Sequence, residues 1–136
     1  MSDDKQAPPP QVWPTLRARD ARGLINFLVD ALGFSETAVY AEGDTVHHAE
    51  LAWPPGGGIM LGSVRPDDHE AAVTAPGSFS AYVVTADPDA LHARAAAHGA
   101  KITKEPFDTD YGSRDFAIED PEGNHWFFGT YPGHPR

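Results

Sequence analysis

An α+β fold built from two βαβββ modules is what this sequence predicts, and three observations predict it. Two helical segments, each opened by an aspartate and closed by a glycine, lie about half a chain apart. Each follows one short strand pattern and precedes three more, and the connections between strands are written in Gly, Pro, Asp and Asn.

The elements follow in order. Val12 to Ala18 alternates apolar and polar residues and predicts a first strand. Asp20 is placed to accept the orphan amides of a helix, on which Leu24, Phe27, Leu28, Ala31 and Leu32 recur on one face before Gly33 supplies a left-handed stop. Strands are predicted over Phe34 to Tyr40, Thr45 to Trp53 and Ile59 to Ser63, separated by Glu42-Gly43-Asp44 and by Pro54-Pro55-Gly56-Gly57-Gly58. The stretch from Arg65 to Gly77 is polar and aperiodic and reads as a connecting loop.

The same order then begins again. Phe79 to Thr85 reads as a strand, Asp87 as a cap, Pro88 as a first helical residue and Gly99 as a stop. Ala100 to Lys104, Arg114 to Glu119 and His125 to Thr130 complete the second module, the last two joined by Asp120-Pro121-Glu122-Gly123-Asn124. The expected organisation is a disordered leader over 1–11, one domain over 12–131 with modules 12–64 and 78–131, and a tail over 132–136.

Composition sets the function classes. The 20 acidic and 10 basic side chains give a formal charge of −10, which would repel a phosphate backbone, so nucleic acid is not an expected partner. No apolar run approaches membrane-spanning length and the Pro-rich, acidic start lacks the regions of a signal peptide, so the expectation is a cytoplasmic protein without a membrane partner. Without cysteine, disulfides and thiolate chemistry are excluded. The sequence contains no Gly-x-Ser-x-Gly elbow, Walker loop or His-Glu-x-x-His segment, and its glycine run does not lead into a helix that would cradle phosphate.

Candidate chemistry is sparse. His47 and His48 are neighbours on a strand, so they point to opposite faces and cannot share an ion. With Ala49 and Leu51 facing the helix, His48 and Glu50 share the other face, as a polar pair toward a ligand or as two solvated side chains. Tyr82 is read as a stacking ring with a hydroxyl handle or as packing; Tyr111 and Arg114 belong to a polar segment, where Arg114 pairs with a ligand oxygen or with one of the many acids. Trp53, Trp126 and Phe128 are assigned to packing between sheet and helices, and His69, His92, His98 and His134 to the surface.

Ala31-Leu32-Gly33-Phe34, Tyr111-Gly112-Ser113-Arg114 and the run from Ile118 to Asn124, in that order, resemble the vicinal oxygen chelate superfamily, in particular its glyoxalase and bleomycin-resistance branch. The resemblance spans nearly everything from Val12 to Tyr131. It implies that each module curls into a half-barrel, that ligands bind on the concave face, and that a homodimer completes the clefts. Many members carry metal ligands on the first and fourth strand of each module. The matching positions here are Trp13, Met60, Ser80 (or Ala81 with a one-residue slip) and Phe127, which are not ligands for a hard cation.

The resemblance therefore implies a binding protein without metal or other cofactor, holding a hydrophobic, aromatic or cationic small molecule on a floor of Trp13, Met60 and Phe127, with Tyr82, Tyr111, Arg114, His48 and Glu50 around it, as in antibiotic sequestration. The alternative is a metal-independent lyase or isomerase that uses His48 and Glu50 for proton transfer. A third reading keeps a metal through His48, Glu50 and His125.

Overall fold

The computed structural model describes residues 9–66 and 75–135. The start of the leader, the middle of the Arg65 to Gly77 connection with His69, and Arg136 lie outside the described residues. Within them the order is β1 (Thr15–Ala18), α1 (Ala21–Leu32), β2 (Ser35–Glu42), β3 (Thr45–Ala52) and β4 (Gly58–Ser63), then β5 (Ser80–Val84), α2 (Pro88–Ala97), β6 (Lys101–Asp108), β7 (Arg114–Glu119) and β8 (His125–Gly129). The duplicated βαβββ order is present. Each module forms one 4-stranded sheet, β1-β4-β3-β2 and β5-β8-β7-β6, whose first and last strands pair in parallel while the other pairs are antiparallel.

The helix ends behave as their residues dictate. Asp20 accepts the amide of Gly23 at 3.0 Å, and Asp87 that of Ala90 at 3.0 Å. Gly33 takes φ 86°, where a side chain would be strained, and two amides close the last turn of α1: Gly33 N–H to Val29 O at 3.2 Å and Phe34 N–H to Leu28 O at 3.0 Å. That second bond corrects the expected start of β2. Phe34 belongs to the helix stop, and its ring enters the core, 5.0 Å from Trp53 and 5.6 Å from Trp126.

Two other boundaries shift by three residues or more. β1 begins at Thr15, not Val12, because Pro14 has no amide to donate; its carbonyl still accepts from Met60 N–H at 2.9 Å. β6 runs on to Asp108, beyond the expected Lys104, and carries Pro106 on the edge of its sheet within a register shift between Lys104 and Phe107. An edge strand with a bulge is where proline is tolerated.

Both sheets turn one face to a shared core. Leu24, Leu28 and Leu32 of α1, Ala49, Leu51 and Leu61 of the first sheet, Leu91 and Ala95 of α2, and Phe116, Ile118, Trp126 and Phe128 of the second form a single buried cluster. Phe116 and Phe128 stack at 5.1 Å. With the inner faces occupied in this way, alternate strand residues are left on the outer faces, where His48, Glu50, Met60, Tyr82 and Phe127 lie.

Candidate functional site

The first sheet's open face is set by β3 and β4. Ala49, Leu51, Ile59 and Leu61 are buried, so His48, Glu50 and Met60 project from the other side. The ladder aligns Thr15, Met60, Glu50 and Ala38 in one row and sets Tyr40 opposite His48. His48 Nε2 and Glu50 Oε2 are 2.9 Å apart, and the Tyr40 ring stacks on the imidazole with centroids 6.3 Å apart. Trp13 stands before β1, yet its indole lies on the same sheet: a Cβ added to Gly58 would come within 2.8 Å of it.

The second sheet's open face follows the same rule. Val83, Trp126 and Phe128 are buried, so Ser80, Tyr82, His125 and Phe127 emerge opposite, with Ser80 beside His125 and Tyr82 beside Phe127. Ala81 of the one-residue slip lies on the core side. Tyr82 and Phe127 are 41% and 44% exposed, which is high for rings of this size.

A polar corner fixes Tyr82. Its hydroxyl donates to Asp115 Oδ1 at 3.3 Å, lies 3.5 Å from Ser113 Oγ and accepts the amide of Tyr131 at 3.2 Å. Ser113 is buried and donates its hydroxyl hydrogen to the same Asp115 oxygen. Partial burial is the main reason the Tyr82 phenol lies above its ordinary 10.0; the bond to Ser113 opposes that, and the nearby Asp115 charge adds to it.

Tyr111 reaches this corner only through Tyr131, whose ring it meets edge-on at 5.7 Å. Arg114 turns away from it. Its guanidinium donates to Asp89 on α2 at 3.0 and 3.1 Å and to Asp108 at 3.3 Å, which holds Asp89 below and Arg114 above their usual values. Of the two partners left open for Arg114, the structure shows acids.

The eight candidate residues therefore divide between the two modules. Trp13, His48, Glu50 and Met60 belong to the first; Tyr82, Phe127, Tyr111 and Arg114 to the second. Between the modules, where β1 and β5 end their sheets, runs a largely apolar groove of about 570 Å³ lined by Val12, Pro14, Phe34, Trp53, Tyr82 and Trp126 among others. Trp53 helps to close its floor, donating its indole N–H to Val84 O at 3.0 Å across the modules.

Sequence reasoning assigned Trp53 and Trp126 to packing, and they do pack, but they also line the groove. It passed over Ser113 and Asp115, although both flank Arg114. Among the described residues, no three His, Asp or Glu side chains stand together as a group that could hold an ion, and His125 lies on the other sheet from His48 and Glu50.

No curated protein matches the chain. Among solved structures it is similar to TioX from Micromonospora sp. ML1, at 26% identity and a TM-score of 0.71, over 87% of this chain and 97% of that one. It is also similar to TnmS3, an antibiotic binding protein from Streptomyces sp. CB03234, at 25% identity and a TM-score of 0.64, over 84% of this chain and 88% of that one. A superfamily member from Sphaerobacter thermophilus DSM 20745, at 22% identity and a TM-score of 0.65 over 88% and 97%, shares the fold. The family model for the Glyoxalase/Bleomycin resistance protein/Dioxygenase superfamily matches residues 11–128, and with the duplicated fold and the order of its motifs, this chain belongs to that superfamily.

Proposed function

We propose that the protein binds a hydrophobic or aromatic small molecule and withholds it from solution, in the manner of antibiotic sequestration, without a metal and as a homodimer. One observation carries the reading: an apolar groove large enough for a drug-sized molecule, walled by Phe34, Trp53, Tyr82 and Trp126, opens beside exposed Tyr82 and Phe127. Burial of a planar ligand there gains roughly 25 cal/mol per Å² of apolar surface before ordering costs. The likeness to an antibiotic binding protein supports the ligand class.

The donor set supports the metal-free part. The superfamily's ligand positions fall on the indole of Trp13, the thioether of Met60, the hydroxyl of Ser80 and the phenyl of Phe127, and Trp13 rests against Gly58. A divalent ion needs imidazole or carboxylate lone pairs, so these four residues do not fit one. Elemental analysis of protein purified without chelator is expected to find no stoichiometric transition metal.

Fluorescence titration with planar hydrophobic compounds tests the binding. Indole emission should change, because Trp53 and Trp126 line the groove, and Trp13→Ala should weaken affinity most if the first sheet's floor is used. An unchanged dissociation constant in that variant removes the floor from the site.

A second reading rests on the 2.9 Å contact of His48 with Glu50 on an open face. A carboxylate beside an imidazole makes a proton-transfer group, suited to a metal-independent lyase or isomerase. It predicts turnover that His48→Ala abolishes while ligand still binds.

A further inference from the structure

Gly129 faces the open side of β8 between Val84 and Asp115. A Cβ there would overlap both Asp115 Oδ1 and the Tyr82 hydroxyl, so the absence of a side chain is what lets these two groups meet. Ser113, only 3% exposed, anchors the corner by donating to Asp115 Oδ1 and accepting Tyr131 N–H at 3.1 Å. Both bonds that Asp115 makes through its side chain go to Oδ1, from neutral hydroxyls; among the described residues Oδ2 has none.

Two cations of the β6–β7 hairpin, Arg114 next to Asp115 in the chain and Lys104 across the ladder, are engaged by other groups. Arg114 is held by Asp89 and Asp108, and Lys104 rides over the Phe107 ring at 4.5 Å. The result is a carboxylate with a spare oxygen, held rigid at the edge of two exposed rings, in a chain of formal charge −10. Such a corner attracts a cation that also has a flat apolar body, since the rings take the body and the carboxylate the charge.

We propose that Asp115, in the space that Gly129 leaves beside Tyr82 and Phe127, is the counter-ion for a protonated amine on a planar aromatic ligand. This rests on the sequestration reading and narrows it: the ligand is an organic cation, and Ser113 and Gly129 are positioning residues that act through Asp115 and Tyr82.

The test uses two fluorescent probes of nearly equal shape on the full chain at mildly alkaline pH, where 9-aminoacridine is cationic and acridine neutral. The wild-type protein should bind the cation on the order of tenfold more tightly, the effect of one charge-assisted hydrogen bond. Asp115→Asn should erase that preference while leaving acridine affinity in place. Glu119→Gln, which removes a carboxylate further along the same strand, should leave the preference intact.

Equal loss in both variants, or no loss in Asp115→Asn, overturns the counter-ion assignment in favour of the overall acidity. A salt titration of the wild type separates the same two causes: at about 0.5 M salt a contact pair persists, whereas a preference due to net charge is screened away. Equal affinity of the wild type for both probes sinks the counter-ion alone. Failure to bind either probe sinks the aromatic-ligand reading on which it rests.

Discussion

At the scale of single residues, Tyr82 carries the most consequence. It lines the groove, stands beside Phe127 and is pinned by Ser113, Asp115 and the Tyr131 amide. Its phenol is held above 10.0, chiefly by partial burial. A raised value means that folding favours the protonated form, so the contribution to stability is complete below pH 10.0 and fades as the pH climbs through the folded value. Alkaline titration by phenolate absorbance should show a late component that Tyr82→Phe lacks, and the variant's stability should fall less steeply in that range. The strand period was enough to read His48 and Glu50 onto one face, whereas Tyr82 and Phe127 were put on one face by the family resemblance, and the ladder sets them side by side. The period was not enough for Arg114, because its partner Asp89 comes from α2, and no spacing along β7 announces a contact made between elements.

At the scale of elements, the Asp120 turn shows how much a short motif organises. Asp120 is 4% exposed and accepts from the amides of Glu122 and Asn124 at 2.8 and 3.0 Å and from the Trp126 indole at 2.9 Å. Asp120→Ala would leave those donors buried and unpaired, so a loss of about 2–4 kcal/mol is expected, read as a lowered denaturant midpoint. A turn was legible here because Asp, Pro, Gly and Asn each favour one. The indole bond was not, since it depends on Trp126 facing inward from β8. Element boundaries failed where a neighbour overrode local pattern: Pro14 shortened β1, the α1 stop claimed Phe34, and a bulge let β6 run past Pro106.

At the scale of the whole molecule, the duplication was visible in cap residues and element order, but the way the modules hold each other was not. The second module reaches both ends of α1. Glu122 accepts the amides of Arg19 and Asp20 at 2.8 and 2.9 Å, placing a carboxylate at the positive end of the helix. Arg94 of α2 donates to Val29 O and Asp30 O at 3.1 and 2.9 Å, placing a cation at the negative end. Glu122→Ala should therefore cost about 1–2 kcal/mol although its own turn survives, seen as a drop in Tm. The proposed homodimer is tested at the same scale: sedimentation should report twice the 14.6 kDa chain mass, and a monomer would leave each open sheet face to act alone.

The bracketing of α1 makes the two repeats unequal. A chain rearranged to begin with the second repeat and finish with the first would retain both the Glu122 and the Arg94 contacts, since each depends on proximity and not on order. Two copies of the first repeat joined head to tail would have neither. Halves that share one plan have thus become donor and recipient, and a functional miniature could not be made by repeating the one that receives.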